Sequence, residues 1–403
     1  MDQIVTEFLL SRSGVVPGRF SFLASETMPK TKTSVATKIA KAAKPKPIPW
    51  DGPESFTPEG GLSQSMIQKY LACRERFRIK TIEGWQALDT FRKAMEYGNM
   101  WHICEEHHAA GTCYEDEVKA YARSLMVQYQ TQQAEIEKWY NICLIQFPLY
   151  VSYWKNHSDV KKRKPICQEK CFQIPYRLPS GRTVNMRGKF DSVDMISRKI
   201  WLQENKTKSE MNEKALERQL GFDLQSMYYL TALQHDKEIK GNIGGIRYNV
   251  IRRPLSGGKG SIRQHKGTKT KPPETLEHYY DRLRVILKTD ADEVDEPCTY
   301  FGRWSIDVDP FDLSRYQRMF LNPILENICD DYEWWEHAKD SGIDSFDYMR
   351  RFEGFEHHMC RHYIHPFGTY NVLNEGGVTE LDDYLSSGST VGLERVETMF
   401  PEL

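Results

Sequence analysis

The sequence predicts a mixed α/β fold in which a small central sheet is flanked by helices. Two observations predict it. Apolar residues recur at helical spacing between about residues 62 and 154, whereas from residue 167 they follow the pattern of strands. A helical pattern returns at about 210–235 and precedes another strand pattern at 244–253. This order of elements favours helices packed against a sheet.

The helices and strands are predicted in chain order as follows. Ser63 can cap a first helix whose apolar stripe is Met66, Ile67, Tyr70 and Leu71. A second helix should run from Phe91 to about Ala109, and a third from Glu115 to about Trp154 with a break near Pro148. The predicted strands are Cys167–Tyr176, Thr183–Ile196, Ile200–Lys206, Gly244–Arg253 and Tyr300–Val308. The later helices are Glu210–His235, Glu274–Lys288 and Leu313–Ala338.

Composition and charge exclude several classes of protein. The chain has 403 residues, 39% of them hydrophobic, which is enough for a sizeable core. Its net charge of −1 means that any nucleic-acid contact must come from local basic patches. No apolar run reaches the roughly 20 residues of a membrane helix, and Asp2 and Glu7 argue against a secretory signal. Nine cysteines without a paired framework suit a reducing compartment, so we expect a soluble cytoplasmic protein.

Three regions are predicted along the chain. Residues 1–50 should be a disordered basic leader, because the segment 29–49 has lysine, alanine and proline but no acid or aromatic residue. A phosphate-binding arm is the alternative for this leader. Residues 51–253 should form the core, with a helical insertion at about 110–160. Residues 254–403 should comprise a mobile basic loop and an accessory C-terminal region that packs on the core.

The most informative stretch is residues 187–209, which reads as a β-hairpin. A tight turn at Ser197-Arg198 would place Ile196 opposite Lys199 and, counting outward, Asp191 opposite Glu204. The same register places Lys189 opposite Lys206, and it gives the two carboxylates a face shared with the apolar residues Val193, Met195, Ile200 and Leu202.

Two carboxylates that face each other across a strand pair repel and destabilise the sheet. A divalent cation between Asp191 and Glu204 would reverse the sign of that interaction, and oxygen ligands suit Mg²⁺ or Mn²⁺. Lys206 lies two residues beyond Glu204 and therefore points the same way. The alternative is an ordinary solvated hairpin face of mixed charge. The spacing alone does not separate the two, so the flanking sequence must decide.

The flanking motifs occur in a recognisable order. An early helix carries Ser63, Ser65, Ile67, Tyr70, Cys73, Arg76 and Phe77, and the next carries Gly98 and His102. Then come Gly188, Lys189 and Asp191, followed by Glu204 and Lys206, and finally Gln225 and Tyr229. Across residues 62–253 this series resembles the PD-(D/E)XK nuclease superfamily, in its lambda-exonuclease-like, recombination-nuclease (RecB-type) branch. The resemblance implies a restriction-endonuclease-like core.

The resemblance also implies a role for each matched residue. Asp191 and Glu204, with the main-chain carbonyl of Asn205, would coordinate the catalytic cation, and His102 would be a further ligand. Lys206 would position the attacking water or help to deprotonate it. The alternative is that His102 has no role in the site and is an ordinary surface or core histidine.

The resemblance assigns supporting roles to three further residues. Gln225 and Tyr229, four apart on one helix face, would orient the active-site strand or contact the DNA backbone, as would Lys189. Gln225 and Tyr229 could also be plain helix surface and core. Glu169, on the strand before the hairpin, is a weaker candidate for an acid that supports the site.

Some relatives hold an iron–sulfur cluster, but we do not expect one here. Cys73 matches the first ligand position, whereas Cys298, Cys329 and Cys360 are too widely dispersed for the usual clustered ligands. Residues 257–261 (GGKGS) lack the spaced first glycine of a phosphate-binding loop. A DNA channel is one interpretation of the basic residues Arg247, Arg252, Arg253, Lys259, Arg263, Lys266, Lys269 and Lys271, and a flexible charged loop is the other.

The expected function is hydrolysis of DNA phosphodiester bonds with Mg²⁺ or Mn²⁺, leaving a 5′-phosphate as the resemblance implies. An exonuclease acting on duplex ends in recombination, repair or replication of a phage or bacterium is the first hypothesis, with a recombination or replication protein as a potential partner. A structure- or site-specific endonuclease and a catalytically silent DNA-binding scaffold are the alternatives.

Overall fold

The computed structural model describes residues 47–48, 61–72, 74–82, 85–87, 91–155, 157, 162–212, 214, 223–255, 260–293, 297–340 and 393–395. All of them lie within one unit, Lys44–Leu403. The predicted leader, apart from Pro47–Ile48, and most of the region after residue 340 fall outside the described residues.

The first elements are short. They are β1 (Pro47–Ile48), α1 (Gln64–Ala72), α2 (Arg74–Phe77), a π-helical turn (Arg78–Ile82) and β2 (Trp85–Ala87). Ser63 caps α1 as predicted, because its Oγ accepts from the Met66 amide at 3.4 Å. Met66, Ile67 and Tyr70 are buried, but Leu71 is 43% exposed and does not belong to the buried stripe. Pro47–Ile48 lies within the predicted leader and nevertheless pairs with the sheet.

Three longer helices follow: α3 (Lys93–Ala110), α4 (Tyr114–Gln128) and α5 (Gln133–Lys155). The prediction of one helix over 115–154 broken near Pro148 was wrong. The chain leaves helical geometry at Tyr129, where φ is −117° and ψ is 67°, and Pro148 lies inside α5. The helix continues through Pro148 because this residue is exposed while its neighbours Phe147 and Tyr150 are buried in the core.

A mixed sheet of six strands lies behind these helices. Five strands join β1: β3 (Lys164–Arg177), β4 (Thr183–Ile196), β5 (Lys199–Lys208), β6 (Asn242–Arg252) and β7 (Phe301–Asp307). The order is β1-β4-β5-β6-β7, with β3 also paired to β4. Helix α6 (Leu224–His235) connects the parallel strands β5 and β6. Each of the strands β3 to β7 matches a predicted one to within three residues at either end.

The hairpin between β4 and β5 has the predicted turn and register. Ser197 and Arg198 both have positive φ, 52° and 64°, as the two central residues of a type I′ turn require. The observed pairs run from Ile196–Lys199 to Ser192–Gln203, so the predicted register is confirmed over this part of the ladder. Asp191 and Glu204 are the next residues outward on each strand.

The remaining elements complete two helical layers. They are α7 (Leu276–Asp292), α8 (Pro310–Tyr316), a π-helical turn (Gln317–Leu321), α9 (Asn322–Asp340) and β8 (Leu393–Arg395), which pairs with β2. One hydrophobic cluster joins the sheet to α1, α6 and α9, and a second joins it to α3, α4, α5 and α7. Val250 and Ile251, adjacent on β6, belong to different clusters because alternate side chains face opposite layers. Within the described residues no helix is long and apolar enough to cross a membrane.

Candidate active site

The candidate site lies where β4 and β5 separate. Backbone pairing between them stops after Ser192–Gln203. Further along the same edge of β4, Leu62 forms the backbone hydrogen bonds instead. Its amide donates to the Asn185 carbonyl at 2.8 Å, and its carbonyl accepts from the Arg187 amide at 3.0 Å. In the gap, the Asp191 Oδ2 atom accepts from the Asn205 amide at 2.8 Å. Strands β4 and β5 thus separate in a fork, and the side chain of Asp191 on β4 is hydrogen-bonded to the backbone of β5 across it.

His102 and Glu169 converge on Asp191 from two other elements. Glu169 lies on β3 between residues that pair with Ser192 and Phe190, which places it across from Asp191. His102, on α3, has its Nδ1 atom 3.4 Å from Glu169 Oε1 and 3.8 Å from Asp191 Oδ1. One ligand atom from each of these three residues lies within 4.8 Å of the others. This spacing suits a single divalent cation with ligand distances near 2.1–2.4 Å.

On the other side of the fork, Glu204, Lys206 and Gln225 form a closed set of hydrogen bonds. Lys206 Nζ donates to Glu204 Oε1 at 2.8 Å and to Gln225 Oε1 at 2.7 Å. Gln225 Nε2 donates to the same Glu204 oxygen at 2.6 Å. Asp223 caps α6 by accepting from the Ser226 amide at 3.2 Å, which places Gln225 in the first helical turn, facing β5.

The electrostatics of the metal-free cluster oppose full ionisation. Burial raises the pKa of Asp191, and the nearby Glu169 charge raises it further. Burial and the Asp191 carboxylate raise the pKa of Glu204 to about 7. Burial by itself would lower the pKa of His102, but Asp191 and Glu169 outweigh it and raise the value to about 9. The protein thus concentrates negative charge that a cation would stabilise.

The oxygen atoms present fit such a cation. Glu204 Oε2 is buried, and no hydrogen-bond donor reaches it from the residues that the structure describes. Leaving a buried carboxylate oxygen without a partner is costly unless a metal or ligand satisfies it. Burial alone would lower the pKa of Lys206, but Glu204 raises it, so this lysine carries a proton beside the carboxylates.

Two residues differ in placement from the expectation. Lys189 does not meet Lys206; it pairs with Cys171 on β3, and its Nζ atom lies 2.8 Å from Glu169 Oε2. Tyr229, by contrast, lies beside the site: its ring packs edge-on to Phe172, and its hydroxyl contacts Gln225 and the Lys189 backbone. Glu169 lies beside Asp191 and His102 rather than behind them. Extending the antiparallel register from β4 to β3 would have indicated this position.

The basic residues divide into separate groups. Arg247 and Arg252 are buried in the sheet, while Arg253, Arg263 and Lys266 line a cavity beside α3. Residues 260–273, predicted as a mobile loop, fold along α7 through hydrogen bonds that include Gln264 Nε2 to the Glu274 carbonyl at 2.6 Å. Lys259 lies outside the described residues.

The cysteines considered as cluster ligands are not brought together among the described residues. Cys298 and Cys329 are buried in different hydrophobic clusters, and Cys73 and Cys360 lie outside the described residues.

Comparison with known proteins assigns the chain to a family. A search of curated proteins finds no match. A family model described as the PD-(D/E)XK nuclease superfamily matches residues 61–300. The match covers more than half of the 403 residues and includes every side chain of the cluster around Asp191. Together with the mixed sheet and the forked hairpin, this match shows that the chain belongs to the PD-(D/E)XK nuclease superfamily.

Proposed function

We propose that this nuclease is a deoxyribonuclease that hydrolyses phosphodiester bonds with Mg²⁺ or Mn²⁺. Membership of the superfamily indicates a metal-dependent nuclease. The observation that carries the proposal is the fork between β4 and β5, where buried Asp191 and Glu204 lie beside a protonated Lys206. A silent scaffold would have no physical reason to keep two costly buried carboxylates at this point.

Two sets of residues could hold the cation, one on each side of Asp191, and Asp191 belongs to both. Glu204 and the main-chain carbonyl of Asn205 are the donors on β5, and His102 and Glu169 are the donors on the other side. All except His102 are oxygen donors, which favours Mg²⁺ or Mn²⁺ over softer metals. When bound, the cation would supply Lewis-acid stabilisation of the charge that develops on the phosphate.

Lys206 acts as a charged donor in this proposal. Because Glu204 raises its pKa, Lys206 keeps its proton and can stabilise developing negative charge on a phosphate oxygen. Gln225 holds the ammonium group and Glu204 in a fixed relation through hydrogen bonds to both. We therefore favour positioning and charge stabilisation over deprotonation of the attacking water as the role of Lys206.

Exonucleolytic action on duplex ends, in recombination, repair or replication of a phage or bacterium, remains the first hypothesis. The test is cleavage of linear and closed-circular duplex DNA with Mg²⁺, with Mn²⁺ and with chelator. Cleavage of linear DNA alone supports the exonuclease, and cleavage of the circle supports the endonuclease. No cleavage with either metal would refute the proposed enzyme and leave the DNA-binding scaffold.

A matched pair of lysine variants tests the site itself. Lys206→Met should remove nearly all cleavage, whereas Lys199→Met, at the exposed turn end of the same strand, should retain wild-type activity. Both variants keep the length and most of the volume of the side chain. Unchanged Mg²⁺-dependent cleavage by Lys206→Met would exclude this lysine from the reaction.

A further inference from the structure

A cavity of about 780 Å³ opens between the start of α3, the first turns of α5, and residues 253, 255, 263–266 and 273. Its lining is strongly cationic, with Lys93, Lys138, Arg253, Arg263 and Lys266; we call it the basic cavity. Glu135 is the acid in this lining; its Oε1 atom lies 3.8 Å from Lys93 Nζ and accepts from Trp139 Nε1 at 3.0 Å. The basic cavity therefore has an excess of positive charge.

Hydrogen bonds hold the walls of the basic cavity in place. Arg253 donates to the Thr207 carbonyl at 2.8 Å and to its hydroxyl at 3.1 Å. Lys138 Nζ donates to Gln264 Oε1 at 3.2 Å and lies 5.1 Å from the centre of the Tyr279 ring. Burial lowers the pKa of Arg253, so an anion in the cavity would stabilise its charged form. Arg253 and Lys138 are thus held in position before any ligand arrives.

The basic cavity is connected to the candidate active site through two elements. Thr207, which contacts Arg253, directly follows Lys206 on β5. Lys93 is the first residue of α3, and His102 lies nine residues further along the same helix. At 1.5 Å per residue this separation is about 14 Å. A nucleic-acid strand that rises 3.4 Å per nucleotide covers that distance in about four nucleotides.

We propose that the basic cavity binds backbone phosphates of the DNA strand about four nucleotides away from the bond that is cleaved. This inference rests on the proposed function, because it takes the reacting phosphate to lie at Asp191 and Glu204. The cavity would hold the strand in register without reading its sequence, since phosphate contacts carry no base information.

Charge reversal at two cavity residues tests this binding site. The double variant Arg263→Glu/Lys266→Glu is compared with Lys269→Glu/Lys271→Glu, which makes the same charge change in the same segment outside the lining. Binding of fluorescein-labelled single-stranded and duplex DNA is measured in chelator, where cleavage is blocked. The cavity variant should bind at least about tenfold more weakly at 50 mM salt, and the single-strand salt slope should fall by about 1.4.

Two outcomes would overturn the inference: wild-type affinity in the cavity variant, or equal loss in both double variants. Cleavage of single strands of increasing length adds a second measurement. Only strands that extend at least about four nucleotides beyond the cleaved bond should be cut more slowly by the cavity variant. If the wild type cleaves nothing, the proposed function fails, and the binding comparison still decides whether the cavity binds DNA.

A second and independent observation concerns a row of side chains beneath the fork, of which Asn205 and Asn249 are buried. Asn249 Nδ2 donates to Asn205 Oδ1 at 2.8 Å, and Arg303 Nε donates to Asn249 Oδ1 at 2.6 Å. The Arg303 guanidinium lies 3.8 Å from the centre of a Trp154 ring. Asn205, Asn249 and Arg303 are register partners on β5, β6 and β7, so the two hydrogen bonds run directly across three strands.

The row ends at the peptide that orients Asp191. Asn205 donates its amide to Asp191 Oδ2, and its carbonyl is a candidate metal ligand. The geometry points to Asn249 and Arg303 as positioning residues, which hold the Asn205 side chain and thereby this peptide. Asn249 acts on Asn205 directly, and Arg303 acts on it through Asn249.

The test is the affinity of the purified protein for Mn²⁺, measured by calorimetry. Asn249→Asp keeps the acceptor for Arg303 but loses the amide donor to Asn205, and it should weaken Mn²⁺ binding about 10- to 100-fold, as loss of a group behind a metal ligand does. Arg303→Lys should weaken it in the same direction. Ser305→Ala, an exposed position two residues further on β7, is the control.

Unchanged Mn²⁺ affinity in Asn249→Asp and Arg303→Lys would overturn the inference, even if both variants melt at lower temperature. If Asn249→Asp fails to fold, Arg303→Lys decides the question. A purely structural role would lower the melting temperature without changing the metal affinity.

Discussion

Glu204 is expected to be required for DNA cleavage and, when ionised, to lower the stability of the fold. The variant Glu204→Gln allows both effects to be measured. In the metal-free protein, burial and the Asp191 carboxylate raise the pKa of Glu204 from 4.5 to about 7. Each pKa unit corresponds to about 1.4 kcal/mol. Ionised Glu204 therefore destabilises the metal-free fold by about 3 kcal/mol above pH 7, and glutamine removes the charge while its Oε1 can still accept from Lys206 and Gln225.

The pH dependence has a definite sign. An acid whose pKa is raised by folding costs stability above the folded pKa, and the cost disappears below the unfolded pKa of 4.5. Linkage therefore predicts that the free energy of unfolding of Glu204→Gln exceeds that of the wild type by about 3 kcal/mol at pH 8 and by about 1 kcal/mol at pH 5. In chelator at pH 8, Glu204→Gln should therefore melt about 3–4 °C above the wild type. With Mg²⁺ present, it should not cleave DNA.

The assay is thermal unfolding with and without chelator at the two pH values. Glu277→Gln, an exposed glutamate on α7, should change the free energy of unfolding by less than about 0.5 kcal/mol and serves as the control. A metal-free Glu204→Gln protein that is less stable than the wild type at pH 8 would refute the reasoning from buried charge.

Three further predictions concern the same region. Lys206→Ala should lower kcat by at least about 100-fold with little change in DNA affinity, measured by cleavage and by anisotropy. Mg²⁺ at about 100 times its dissociation constant should stabilise the wild type by about 2.7 kcal/mol in thermal unfolding, and Asp191→Asn should lose most of this gain. Gly188→Ala should destabilise the fold by about 1–3 kcal/mol in urea, because the added Cβ would lie 2.8 Å from Phe172 Cζ and 3.0 Å from Tyr229 Cε1; unchanged stability would show that these rings can move aside.

The sequence by itself determined the hairpin and the residues that it carries. The turn at Ser197-Arg198 and the alternation on both strands specify a register that depends only on neighbours along the chain, and the structure has that register. The cap at Ser63 is local in the same sense, because its partner is three residues away. The order of the motifs was sufficient to predict the superfamily, which the match over residues 61–300 confirms.

Only the tertiary structure decided what surrounds that hairpin. His102 meets Glu169 across 67 positions of sequence. Strands β4 and β5 part after Ser192, and Leu62 pairs with the edge of β4 further along, at Asn185 and Arg187. The break before α5 falls at 129–132 rather than at Pro148, because burial on both sides of the proline maintains the helix. Such features depend on contacts between distant segments, and periodicity reports only which face of a segment is apolar, not what packs against it.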